Sequence, residues 1–137
     1  MEKTFAIIKP RAFEENLTGA ILNMITSAGF RICGIKSLKL DESRAEKLYN
    51  IHNGKSFYPQ LIQFITSGPV IVMVLEKENA IEDFRKLIGH TNPEKAEPGT
   101  VRRLFGLDKT KNGIHAADSL ENVKKEMDLF FMDEELV

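Results

Sequence analysis

Apolar residues occur both in short unbroken runs and at three- and four-residue spacing, a pattern that predicts strands interleaved with helices. Phe5-Ala6-Ile7-Ile8 is an unbroken run stopped by Lys9-Pro10, and it predicts a buried strand because proline cannot continue a central ladder. Leu17 to Ala28 places Ile21, Leu22 and Ile25 on one helical face, with Gly29 as its C-terminal cap. Phe30 to Leu40 predicts a second strand. Phe30, Ile32, Leu38 and Leu40 share parity, while Gly34 and Ile35 break the alternation and predict a bulge. Asp41 can cap a helix carrying Ala45, Leu48 and Tyr49. Pro59 suits the first turn of a helix through Leu61, Ile62 and Ile65 that closes near Gly68.

Val70 to Leu75 is continuously apolar and rich in β-branched residues, which predicts a strand covered on both faces. Asn79 and Glu82 read as a capping pair for a helix ending at Gly89. From His90 to Ile114 the chain carries Pro93, Pro98, Gly99, Gly106 and Gly113. This is the longest irregular stretch, with room for one helical turn around Val101–Phe105, and a loop of that length in a domain usually serves a function or is disordered. Asp118 and Glu121 can open a last helix, and Leu129-Phe130-Phe131 reads as a final strand. The order β, α, β, two helices, β, α, long loop, α, β suits a sheet with helices packed on it, and leaves parallel and antiparallel pairing open.

The chain has 137 residues, the size of one domain, so residues 1–137 are expected to fold as a unit with no disulfide or metal as a staple. Nineteen basic residues against twenty acidic ones give a net charge of −1, which argues against a general nucleic-acid binder. Any anionic ligand must therefore be met by a local cluster. Cys33 is the single cysteine, which excludes an intrachain disulfide. The apolar run near the N-terminus is too short for a signal peptide, and no stretch approaches membrane-span length. A complete cytoplasmic protein is expected.

His115 lies among small residues in Asn112-Gly113-Ile114-His115-Ala116-Ala117-Asp118-Ser119, just before a helix start. Small neighbours leave an imidazole approachable, and a helix N-terminus favours an anion. Glu126, two turns into that helix, can fold back onto the ring; a carboxylate holding one ring nitrogen leaves the other bare. The same pattern also fits a loop histidine with no chemical role. Lys9 at a strand end, Arg85 on a helix, and Arg102 and Arg103 in the long loop are the cation types a polyphosphate needs, though each alone reads more readily as a solvated charge. Lys109, Lys111, Lys124 and Lys125 carry no special signal. Phe57, at a loop–helix junction, can stack on a base or anchor its helix. Tyr49 can offer a hydroxyl to a phosphate or sit in the core. His52 and His90 form no metal-ligand spacing with His115. Neither GxxxxGK[ST] nor GxGxxG occurs.

Four segments together resemble the nucleoside diphosphate kinases in order and spacing. They are Thr4 to Pro10, Phe64 to Val70, Gly89 to Pro93 and Asn112 to Ser119. The resemblance implies an α/β fold of ferredoxin-like type, a four-stranded antiparallel βαββαβ sheet with surrounding helices. It implies transfer of the γ-phosphate of a nucleoside triphosphate to a nucleoside diphosphate through a phosphohistidine, by ping-pong kinetics and with broad base tolerance. By position it implies that His115 is the nucleophile through Nδ1, and that Glu126 orients it. Lys9 would meet the γ-phosphate and sugar hydroxyl, and Tyr49 would lie beside the reacting phosphate. Phe57 would stack on the base, Arg85, Thr91 and Arg102 would bind phosphate, and Asn112 would hold the ribose. Mg2+ would arrive on the nucleotide rather than in a protein cage. A homo-oligomer is implied, tetramer or hexamer built from dimers, with no membrane and no specific nucleic acid as partner.

The chain departs from that resemblance at three positions. Ala117 stands where serine is usual, Arg11 where aspartate or asparagine follows Lys-Pro, and Leu104 where aspartate is common. Ala117 and Arg11 leave open a catalytically weakened nucleotide-binding or interaction module. The absence of an extended tail after Val137 suggests a bacterial-type chain.

Overall fold

The computed structural model describes Met1–Val137 throughout. Its strands are β1 (Glu2–Ile8), β2 (Arg31–Leu38), β3 (Val70–Lys77) and β4 (Ile114–Ala116). Its helices are α1 (Pro10–Glu14), α2 (Thr18–Ser27), α3 (Glu42–Leu48), α4 (Tyr58–Ile65), α5 (Ala80–Ile88), α6 (Val101–Phe105) and α7 (Leu120–Phe130). The strands pair in the order β2–β3–β1–β4, and every neighbour is antiparallel. This is the ferredoxin-like arrangement, with both central strands built from the two most continuously apolar runs.

Alternation along β1 divides the core. Phe5 and Ile7 point to one face, where they join Val70, Val72 and Val74 of β3 and residues of α3, α4 and α7. Ala6 and Ile8 point to the other, packing with Met73, Leu75, Ile21 and Ile25 of α2, and Phe84 and Ile88 of α5. Both faces of β1 and β3 are thus covered, which is why their sequences show no polar alternation.

Several local expectations are corrected. Leu129 and Phe130 belong to α7 rather than to a last strand, because Val123, Met127 and Phe130 continue a helical face onto the core. The fourth strand is the three-residue segment Ile114–Ala116, which occupies the free edge of β1. The β2 irregularity falls between Ile32 and Gly34, so Cys33 is the extra residue. Asn79 stands at the N-cap of α5 and its side chain donates to Glu82 Oε2 at 3.4 Å, but its backbone is left-handed, with φ of 55°, and the side chain accepts from no helix amide; the Ile81 amide donates to Glu2 Oε1 at 2.8 Å. At α7 the cap is Ser119, whose Oγ accepts from the Asn122 amide, while Asp118 takes the Asn122 side chain.

Candidate active site

The short pairing of β4 with β1 puts Ile7 opposite His115. Ile114 and Ala116 turn to the α2/α5 side, so His115 emerges on the opposite face, beneath α3, α4 and α7. There its ring lies 6.4 Å from Phe5 and meets the ring of Tyr49 edge-on at 5.8 Å. The Glu126 carboxylate, carried back by α7, is hydrogen-bonded through Oε1 to Nε2 of His115. A neutral imidazole protonated on Nε2 donates to that carboxylate and keeps a lone pair on Nδ1.

Apart from Thr4, the buried polar residues are Lys9, Thr100, Arg102, Asn112 and Glu126, and all but Thr100 line one cleft with His115. Burying so many polar groups together costs stability where they are not fully hydrogen-bonded or paired, a cost that marks a functional cleft rather than a packing core. The cleft has a volume of about 860 Å³, enough for a nucleotide-sized ligand. Lys9, Tyr49, Phe57, Arg85, Thr91, Arg102, Asn112, His115 and Glu126, each singled out in the sequence, all line it.

Lys9 Nζ donates to Asn112 Oδ1 at 2.8 Å and to the Thr110 carbonyl at 3.2 Å. Asn112 in turn donates to the carbonyls of Thr91 and Lys109, so one amide ties the end of β1 to both ends of the irregular stretch. Burial, reinforced by the charge of Arg102 and opposed by Asp108, pulls the Lys9 ammonium down to about 7. Arg102 donates to the carbonyls of Gly89 at 3.1 Å and Ile114 at 2.8 Å, and its Nε is buried with no partner. Burial first and Arg85 second pull its guanidinium down to about 10. Two cations held in a desolvated site without carboxylate partners favour an incoming anion. Arg85 is exposed and reaches the Ala116 carbonyl only at 3.5 Å, so it remains free to turn to a ligand.

Tyr49 is buried, and its hydroxyl also lacks a partner. Burial, with the Glu126 charge, pushes its phenol well above the ordinary range, so it stays a neutral donor. Phe57 is 44% exposed at the cleft mouth, where an aromatic face is available for stacking rather than committed to the core.

The cleft also contains residues that no motif or spacing marks. His52 lies 5.2 Å from the Phe57 ring, with its imidazole pulled down by burial and then by Lys55. Lys109 and Lys125, which read as solvated charges, stand on the wall as well. Their signal was proximity in sequence to Asn112 and Glu126. Of the three departures, Ala117 is buried in the apolar cluster, Leu104 is 56% exposed, and Arg11 lies outside the cleft wall. No group of three or more His, Cys, Asp or Glu side chains converges to hold a metal ion, and no helix is long and apolar enough to cross a membrane.

Fold and site together define an α/β protein of ferredoxin-like topology built around a carboxylate-held histidine in a cationic cleft. Comparison with known proteins is consistent at every level. The sequence profile of the nucleoside diphosphate kinases matches residues 2–136. A nucleoside diphosphate kinase of Sulfurisphaera tokodaii is 47% identical over 137 residues, covering 100% of this chain and 93% of that protein. The structure of the Aquifex aeolicus nucleoside diphosphate kinase superposes with a TM-score of 0.96 at 39% identity, covering 99% of both chains. A halophilic nucleoside diphosphate kinase from Halobacterium salinarum in complex with CDP superposes at 0.95 and 38% identity, covering 99% of this chain and 91% of that one. The chain belongs to the nucleoside diphosphate kinase family.

Proposed function

We propose that this protein moves the γ-phosphate of a nucleoside triphosphate to a nucleoside diphosphate in two half-reactions at His115. The observation that carries the reading is the pairing of His115 Nε2 with Glu126 inside a cleft walled by Lys9, Arg85 and Arg102. In the first half, the Nδ1 lone pair attacks the γ-phosphorus. The bond from that phosphorus to the bridging oxygen breaks, and the oxygen leaves on the nucleoside diphosphate. In the second, a terminal oxygen of another nucleoside diphosphate attacks the phosphorus, and the N–P bond breaks. Both halves form one bond and break one, and neither needs a separate base.

Phosphoryl transfer asks chiefly for position and charge stabilisation. Lys9, Arg85, Arg102 and the Tyr49 hydroxyl supply the charge and hydrogen bonds, with Thr91 beside them. Asn112 holds the ribose, and Phe57 stacks on the base without reading its edge, which accounts for broad base tolerance. Mg2+ enters as part of the substrate, bound to the nucleotide phosphates.

Residues 1–137 act as one catalytic unit in this reading, in the cytoplasm, where one free cysteine is at ease. The unit assembles into a tetramer or hexamer; β2 is an edge strand of the sheet, with Ile35 45% exposed on it, although the Val137 amide donates to its Cys33 carbonyl. Light scattering decides between the two assemblies. A coupled assay of GDP-to-GTP conversion with ATP tests the function. Turnover by the wild type and none by His115→Ala support it, and nucleotide binding without turnover supports a weakened module instead.

A further inference from the structure

Arg11 stands outside the cleft wall, yet it sits two residues after Lys9 in the first turn of α1. Its Nη1 donates to the carbonyl oxygen of Phe105 at 2.9 Å, and its Nε pairs with Glu15 Oε2 at 2.9 Å. Phe105 is the last residue of α6, the five-residue helix that carries Arg102. A helix so short has few internal bonds, and its last carbonyls need outside donors. The Gly106 amide takes the Arg102 carbonyl at 2.8 Å, and Arg11 takes that of Phe105. Of the other side-chain tethers of this segment, Arg103 reaches only the Glu94 carbonyl within the irregular stretch, and the two to Gly89 and Ile114 come from Arg102 itself.

That arrangement creates a competition. The Arg102 guanidinium that would turn to a phosphate also holds α6 in place. We propose that Arg11 is a positioning residue for the phosphate subsite: by clamping the C-terminal end of α6 to α1, it fixes Arg102 relative to Lys9 and frees Arg102 to engage phosphate. The inference rests on the nucleotide reading of the cleft. It also gives a role to a residue whose charge departs from what the family resemblance implies.

The test is the Kd for ADP with Mg2+, measured by calorimetry. Arg11→Met keeps the aliphatic stem and removes the donors; it weakens ADP binding roughly five- to tenfold. Arg11→Lys retains charge and one donor and recovers most of that loss. In an Arg102→Lys background, Arg11→Met changes Kd by less than about twofold, because the residue it acts through has already been altered. Should Arg11→Met fail to fold, Arg11→Lys carries the test, binding about two- to threefold more weakly than wild type in the Arg102 background and unchanged in the Arg102→Lys background. An Arg11→Met protein that melts earlier but binds ADP like wild type overturns the proposal, as does the same fold-loss in both backgrounds. ADP affinity is measured without turnover, so a wild type that binds ADP but exchanges no phosphate removes the kinase reading alone.

Discussion

Glu126 holds His115 by Nε2, which leaves Nδ1 as the ring nitrogen without a partner on the cleft side of β4. The carboxylate fixes both the tautomer and the direction of the ring. Glu126→Gln keeps the shape but loses the charge that stabilises the Nε2 proton as Nδ1 acquires phosphate. A charge-assisted hydrogen bond contributes about 1.5–3 kcal/mol, so phosphoenzyme formation slows by roughly 10- to 150-fold. Single-turnover kinetics with ATP check this, and a rate within threefold of wild type assigns Glu126 a packing role only.

Lys9 makes stability depend on pH. Its folded value is about 7 against an ordinary 10.5, so between these values the unfolded chain holds a proton that the folded chain has released. Stability therefore rises with pH across that window, and the benefit is absent below about pH 7. Lys9→Met flattens the rise, as denaturant midpoints between about pH 6 and 10 would record. Phosphate binding raises the Lys9 value again, so ADP binding near pH 8 takes up protons, measurable by calorimetry in buffers of different ionisation enthalpy.

Phe57 contributes stacking without base readout. Phe57→Ala weakens ADP, GDP, CDP and UDP by similar factors, roughly tenfold from a stacking energy of about 1–3 kcal/mol per base. Parallel titrations check this. A loss confined to one base would mean that the pocket reads edges.

Gly89 joins α5 to the irregular stretch with φ of +89°, and a Cβ there would come within 2.6 Å of Thr100 Oγ1. Its carbonyl also accepts from Arg102. Gly89→Ala is expected to cost about 1–3 kcal/mol of stability and to weaken ADP binding along with it. Thermal melts and titrations of the same sample test both parts.

The central strands and the helices flanking them were legible because their apolar spacing records burial directly. Ile114–Ala116 was not, since three residues carry too little pattern to mark a strand, and Leu129-Phe130-Phe131 looked more strand-like while belonging mostly to α7. His115 and Glu126 were legible as a candidate pair because eleven residues of loop and helix could bring them together. The Lys9–Asn112 bond spans 103 positions, and no local spacing encodes it. Asn112 and Thr91 were found only through family resemblance. His52, Lys109 and Lys125 escaped because a cleft wall is assembled from segments whose convergence is a property of the fold.

The most direct measurement is phosphate labelling of the protein by γ-labelled ATP with Mg2+, followed by chase with GDP. About one labile phosphate per chain is expected, lost in acid, kept in base and passed to GDP, with none on His115→Ala. Equal labelling of His115→Ala, or GTP formed with no labelled protein intermediate, would contradict that expectation.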